Sequence, residues 1–349
     1  MNFEQVIGQE ALKEHMKSAI RLGKVSHAYI INGEAGYGKL HLAEAFAQTL
    51  LCSRVNTTYD ENQFAFLGFE IETAEPTDIR PCEECTSCKK ADHHNHPDII
   101  YITHEKPNLI SVDEIRSQFV DTVDILPYES ERKIYIINDA ELINETGQNI
   151  LLKTIEEPPD YITIIILTTN KDKLLPTVLS RCVNLTMMPA DDRSIKNYLY
   201  AKGIVDYQAE EAISFADGNP GKALMIASDS YFKERRKMVT DIMRDIGNYN
   251  SKQISDIAAK IEQDKDNVDN YLELMVAFLR DVLIYKTTLD ETRVRFRQEI
   301  VVIRELSNLS LSTINNLINI VNDAADKIRV KVTLSLTIEM MLHKMKESI

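Results

Sequence analysis

Three groups of residues in this chain have types and spacings suited to chemistry. The first is Gly33-Glu34-Ala35-Gly36-Tyr37-Gly38-Lys39-Leu40, which has the glycine and lysine spacing of a phosphate-binding loop. Gly33, Gly36 and Gly38 let the backbone curl until its N–H groups face phosphate oxygens, and Lys39 can reach the β- and γ-phosphates. The position after the lysine ordinarily supplies a hydroxyl to Mg²⁺, and here it is Leu40, which has no oxygen. A second metal handle is expected where the apolar run 134–137 ends. There Asn138 stands in the register of the metal-binding carboxylate, with Asp139 one position later as the alternative donor. An amide is a poorer ligand than a carboxylate for a hard divalent cation. With both handles weakened, charge on the terminal phosphates is poorly neutralised. The prediction is a loop that does not support ATP hydrolysis and binds nucleotide weakly or not at all.

The second group is Cys82, Cys85 and Cys88, two overlapping C-x-x-C steps, with Cys52 some way upstream. Four thiolates at such spacing suit tetrahedral Zn²⁺, and a closed four-sulfur set leaves no position for substrate, so the site is expected to be structural. His93, His94 and His96 follow closely and are alternatives for the fourth ligand. Cys52 is preferred because it opens the same insert, which is expected to be hairpin-like. A redox pair or free thiols would not need three cysteines in so short a stretch. The fifth cysteine, Cys182, reads as a small buried side chain.

The third group is Ser180-Arg181-Cys182, reached through Leu174-Leu175-Pro176-Thr177 after an apolar strand. A guanidinium on a short helix beside a sheet edge has the permanent charge and planar fork that suit a phosphate in transition. On chemistry alone, a salt bridge at a helix end is the simpler role for it.

The elements that must position these groups alternate. Helical spacing is read at 11–21, 40–51, 112–123, 148–156 and 176–181, and short apolar strands at 28–31, 99–102, 134–137 and 162–167. Apolar strands alternating with helices predict an α/β domain with a parallel sheet covered on both faces. Beyond Pro189 the pattern becomes all-α. Three short helices fit 191–229, with breaks at Gly203 and Gly218-Asn219-Pro220-Gly221. From about 231 onward the chain reads as helical, with Ile314, Leu317, Ile318, Val321 and Ile328 on one stripe. Leu334, Leu336, Ile338, Met341 and Leu342 mark a last helix.

At 349 residues the chain exceeds one comfortable core. The net charge of −14 argues against stand-alone DNA binding, and Glu83, Glu84 and Asp92 argue the same for the cysteine segment. No apolar run reaches the length of a membrane span, and the first residues lack a signal-peptide pattern, so no membrane partner and a cytoplasmic location are expected.

These segments, in this order, resemble the delta-prime family of bacterial DNA polymerase III clamp-loader subunits, which are AAA+ proteins. The resemblance is carried by Ile7-Gly8-Gln9, by His27-Ala28-Tyr29-Ile30 leading into the glycine loop, by the cysteine cluster and by Tyr135-Ile136-Ile137-Asn138-Asp139-Ala140. It is also carried by Asn149-Ile150-Leu151-Leu152-Lys153-Thr154-Ile155-Glu156-Glu157-Pro158 and Leu175-Pro176-Thr177-Val178-Leu179-Ser180-Arg181-Cys182. The resemblance implies an AAA+ phosphate-loop domain over 1–188 with a zinc module at about 52–92, a three-helix lid over 189–230 and a helical collar over 231–349. It implies a non-motor subunit in a hetero-pentamer with gamma/tau motor subunits and a delta subunit. That complex places a sliding clamp on primed DNA in replication. In this family the arginine at the position of Arg181 completes a neighbouring subunit's ATP site. Motor relatives carry Ser or Thr at position 40, Asp at 138 and Arg within the 218–222 segment. All three differences fall on ATP chemistry, against the alternative of an ATP-hydrolysing gamma/tau-like subunit. The gap between Cys52 and Cys82 is longer than the family's usual spacing.

Overall fold

The computed structural model describes residues 2–57, 79–330 and 332–349. Residues 58–78, in the middle of the expected zinc module, lie outside the described residues. The chain divides into two compact units, Met1–Ala227 and Ser228–Ile349. The expected lid segment belongs to the first unit as far as Ala227.

The first unit is built on a five-stranded parallel sheet in the order β2-β3-β4-β1-β5. The strands are β1 (Ala28–Asn32), β2 (Ile99–Ile102), β3 (Lys133–Ile137), β4 (Ile162–Thr168) and β5 (Val183–Thr186). Every residue of β3 and β4 is buried. A strand covered on both faces reads as a continuous apolar run and not as an alternation. The register sets Asn32 beside Thr168, and Ile137 beside Ile166. The carboxyl ends of β1, β3 and β4 therefore meet along one edge, where ligands of parallel sheets bind. Two apolar layers flank the sheet. One contains Met16, Phe46, Cys52 and Cys88, with Tyr29 and Phe46 edge to face at 5.2 Å between ring centroids. The other contains Phe119, Leu151, Ile155, Val178 and Cys182. This parallel-sheet α/β unit followed by helices has the order expected from the sequence.

Several boundaries differ from the sequence reading. The helix of the phosphate loop begins at Lys39 and ends at Leu51. The helix expected from 148 starts at Glu145, because the Asn144 side chain accepts the Gly147 N–H and caps it. The stretch expected as one helix over 112–123 has a π-helical centre, Arg116–Val120. The helix expected to carry Arg181 stops at Leu179. The sequence reading misses β5: it is an edge strand whose residues other than Leu185 are only partly covered, so it carries no apolar run.

A buried carboxylate holds one corner of the sheet. Asp98 is fully covered and accepts the backbone N–H groups of Tyr128 (2.6 Å), Glu129 (2.9 Å) and Ser130 (2.9 Å). Asp98→Ala leaves these donors without that acceptor and is expected to cost about 3 kcal/mol, read as a lower urea midpoint at unchanged slope.

The second unit is helical, with helices Phe232–Asp245, Ser251–Gln263, Val268–Thr288, Ile300–Leu306, Leu311–Arg329 and Leu334–Ser348. Ile314, Leu317 and Val321 are buried, and Ile318 and Ile328 are half-buried. In the last helix Ile338, Met341, Leu342 and Met345 face the core, while Leu336 lies off that stripe and is exposed. The 289–299 stretch is irregular, with short 3₁₀ turns, so the unit is not continuous helix. Arg235 and Arg236 are buried, and each has carboxylate partners: Asp229 and Asp264 for the first, Glu299 for the second. Among the described residues, no helix is long and apolar enough to cross a membrane.

Candidate functional site

The phosphate loop leaves β1 and is tied to β4 by the Gly33 N–H, which donates to Thr168 O at 3.1 Å. Gly36 and Gly38 adopt φ of 90° and 88°. This left-handed backbone is what glycine permits and what curls the loop. The loop opens onto a cavity of about 490 Å³ lined by Gly36, Gly38, Lys39, Leu40, Asn138 and Asp139, among others. Lys39 is buried, and its ammonium donates to Gly33 O at 2.6 Å and Glu34 O at 3.0 Å. Burial pushes the Lys39 pKa down, against the opposing influence of Glu141, Asp139 and Glu34.

The two expected metal handles can be read directly. Leu40 lines the cavity with a hydrocarbon side chain. The Asn138 amide donates to Asp139 Oδ2 at 2.7 Å, and His104 Nε2 lies 3.7 Å from the same oxygen. Asp139 has φ of 50°, a left-handed backbone that carboxamide and carboxylate residues tolerate better than most. Sequence reasoning missed Glu141. Its carboxylate accepts the Thr168 hydroxyl (2.8 Å), the Thr169 N–H (3.1 Å) and the Thr169 hydroxyl. Burial would raise its pKa, but the bonds from Thr169 and Thr168 outweigh it and hold the carboxyl below the usual range. The polar pair at the end of β4 is therefore fully engaged by an anion of the same chain. The signal for it was the Thr168-Thr169 pair closing an otherwise apolar strand.

Arg181 does not line this cavity. It follows the helix Pro176–Leu179 and is well exposed. Its guanidinium lies 3.0 Å from Glu156 Oε1 and donates to Thr177 O at 3.1 Å. The approach to this helix is fixed by buried Gln148, a second residue missed from sequence. Its amide donates to Ile143 O and Lys173 O at 3.0 Å each and accepts the Leu175 N–H at 2.7 Å. Cys182 is buried, and burial pushes its thiol up to about 12.

The structure brings Cys52, Cys82, Cys85 and Cys88 together, with all four sulfurs within 4.8 Å of one another. Cys82 Sγ and Cys88 Sγ are 3.9 Å apart, against the about 3.8 Å edge of a tetrahedron with Zn–S bonds of about 2.3 Å. Backbone N–H groups point at three of the sulfurs: Cys82 N at Cys52 Sγ and Cys85 N at Cys82 Sγ (3.3 Å each), and Cys88 N at Cys85 Sγ (3.4 Å). Such bonds favour thiolate, and the contact with Cys88 holds the Cys52 thiol down, to about 4. The donor set and spacing fit a tetrahedral metal ion.

The histidines are engaged elsewhere. His96 is buried, accepts the Asp98 N–H through Nδ1 at 3.1 Å and meets Ser87 Oγ through Nε2 at 2.9 Å. His93 bonds Lys89 O at 2.7 Å, and His94 bonds the Tyr101 hydroxyl at 3.1 Å. The described part of the expected hairpin-like insert holds two short helices, Ser53–Thr57 after Cys52, and Thr86–Asp92 after a turn. Cys85 caps this helix through its sulfur, since an x₂ spacing that starts at a helix N-terminus brings both sulfurs to one side.

Comparison with known proteins separates the family from more distant likenesses. Residues 8–65 and 61–191 match the family described as DNA polymerase III, delta subunit. The chain belongs to this family. Among curated relatives, DNA polymerase III subunit tau of Bacillus subtilis is 29% identical over 310 residues, covering 82% of this chain and 50% of the relative. Subunit tau of Escherichia coli is 28% identical over 197 residues, covering 56% of this chain and 27% of the relative. Subunit delta' of B. subtilis is 24% identical over 279 residues, 79% of this chain and 77% of the relative. The matched part is thus half or less of the length of the tau relatives. A solved gamma-subunit-related protein of Thermotoga maritima aligns over 95% of this chain and 99% of its own, at 16% identity and a TM-score of 0.48.

Proposed function

We propose that this family member is a non-motor, delta-prime-type clamp-loader subunit of a bacterial DNA polymerase III. In this reading it works in DNA replication within a hetero-pentamer of gamma/tau motor subunits and a delta subunit. It contributes an arginine in trans while the complex places a sliding clamp on primed DNA. The observation that carries the reading is the state of its own phosphate loop. Leu40 brings no oxygen to the cavity, the Asn138 amide is turned onto Asp139, and Glu141 engages the threonines at the end of β4. Three carboxylates, Glu141, Asp139 and Glu34, act electrostatically on Lys39.

Arg181 is the cation this reading assigns to the neighbouring site. Its charge is permanent, and its fork presents parallel N–H groups to phosphate oxygens where negative charge develops. In this chain the guanidinium is oriented by Glu156 and Thr177 and carried on a segment clamped by Gln148. The cysteine cluster takes zinc as a structural ion, held by Cys52, Cys82, Cys85 and Cys88. The 189–230 segment acts as the lid and 231–349 as the collar of the assembly. The chain belongs to a nucleotidyltransferase holoenzyme without carrying that chemistry itself.

A second reading, an ATP-hydrolysing gamma/tau-like subunit, is favoured by one observation: the tau relative of B. subtilis is 29% identical to this chain and its delta' relative 24%. One experiment separates the two. The purified chain with Mg·ATP is expected to release phosphate no faster than a Lys39→Ala variant, and to co-purify with separately expressed tau/gamma- and delta-type subunits. Phosphate release that disappears on Lys39→Ala would establish the motor reading.

A further inference from the structure

A connected series of hydrogen bonds runs from the cysteine cluster to a surface loop on the far side of β2. Ser87, next to Cys88, donates its hydroxyl to Leu51 O at 2.7 Å, and Leu51 is next to Cys52. His96 meets the same Ser87 oxygen through Nε2 at 2.9 Å, and its Nδ1 takes the Asp98 N–H at 3.1 Å. These partners fix the directions. Nδ1 accepts, so the ring proton sits on Nε2 and is given to Ser87, whose own proton is given to Leu51. Both ring nitrogens of His96, a residue 4% exposed, are thus committed to one neutral tautomer.

From Asp98 the bonds continue into the loop. Its covered carboxylate accepts the N–H groups of Tyr128, Glu129 and Ser130. Lys133, 1% exposed, holds the loop's other end: its ammonium donates to Thr122 O at 2.8 Å and Ile125 O at 3.1 Å. Two buried charges of opposite sign therefore fix this backbone, while Leu126 and Tyr128 stand 67% and 72% exposed on it. A weaker outer link pairs Lys90, on the helix Thr86–Asp92, with Glu129. We infer that His96 is a positioning residue that couples occupancy of the cysteine site to the order of the 124–130 loop. An ion held by Cys52 and Cys88 sets the places of their neighbours Leu51 and Ser87. If the ion leaves, Ser87 is no longer fixed opposite His96. A buried ring N–H without its acceptor costs about 1–3 kcal/mol, so the imidazole turns and Asp98 loses a partner. The ion thereby controls a surface segment that it does not touch. This coupling presupposes the zinc that the proposed function assigns to the cysteines, and it is independent of Arg181.

Hydrogen exchange read by mass spectrometry on the full-length chain tests it, with zinc as the probe, removed by a chelator and then restored. With zinc bound, peptides covering 124–132 are expected to exchange slowly. Removal should speed them roughly tenfold, reversibly, while 162–168 in β4 keeps its protection. His96→Leu occupies the space but ends the series of bonds. In excess zinc it is expected to keep about one ion per chain and to exchange 124–132 fast with or without it. A wild-type loop that ignores zinc would overturn the coupling, as would a full response retained in His96→Leu or protection lost equally from 162–168. Zinc lost from His96→Leu would make the histidine a ligand and overturn it too. The wild-type arm needs no variant to fold. A wild-type chain that holds no zinc fails the metal reading and the coupling together, whereas zinc bound without a loop response fails the coupling alone.

Discussion

Arg181→Ala is expected to lower turnover at the adjoining ATP site of a reconstituted loader by roughly 10³-fold while leaving folding and assembly intact. The two halves of this expectation rest on different magnitudes. As a structural group, Arg181 makes an exposed ion pair with Glu156 and a bond to Thr177 O, and exposed pairs contribute about 0.2–1 kcal/mol. Its loss should therefore leave the melting curve almost unmoved. In the proposed role, as a cation against a phosphate in a water-excluded interface, the same group would have a far larger effect, because its charge would act where low dielectric strengthens it. Arg181→Lys keeps the charge but not the planar fork, and is expected to fall between wild type and alanine. The measurement is single-turnover phosphate release from the complex, with gel filtration confirming assembly. An alanine complex that turns over ATP and loads clamps at the wild-type rate leaves Arg181 with nothing but its surface salt bridge.

Cys52→Ser is expected to abolish tight zinc binding, from about one ion per chain to a small fraction, and to lower the melting temperature of the first unit. Cys52 is fully buried within the apolar layer that contains Phe46, Leu50 and Leu51, so an ion held there would be coupled directly to the core. Binding energy at a closed site adds to folding free energy. A loss of about 3 kcal/mol would lower the melting temperature by roughly 6–12 °C in a unit of this size. His94→Ala is expected to keep the metal, since His94 faces Tyr101 and Glu44. Metal analysis of both proteins after dialysis decides it: zinc retained in Cys52→Ser and lost in His94→Ala would move the fourth ligand to the histidine.

The legible parts of this chain were those where local sequence and final environment impose the same demand. β1, β3 and β4 are buried on both faces and so had to be continuous apolar runs. The loop needs left-handed backbone at Gly36 and Gly38, and the x₂ cysteine steps bring their sulfurs together over one turn. β5 was illegible because an edge strand need not be apolar. The π-helical centre at Arg116–Val120 left no mark that the 3.6-residue spacing could show. Glu141 and Gln148 were passed over for a related reason. Each looks like an ordinary polar helix residue until the fold brings Thr168 and Thr169, or Lys173 and Leu175, against it.

By itself the sequence determined the α/β-then-helical order, the phosphate-loop curl, the missing hydroxyl at Leu40 and the candidate cysteines. These depend on residue types within a few positions of one another. Only the tertiary structure decided that Cys52 and not a histidine joins the cluster, that Lys39 turns onto its own loop, that Glu141 occupies the threonines of β4, and that Asp98 reaches Tyr128. Those outcomes depend on distances between segments far apart in the chain. A hydrogen bond or a sulfur cluster forms only when packing brings its partners within about 3–4 Å, which no local pattern encodes.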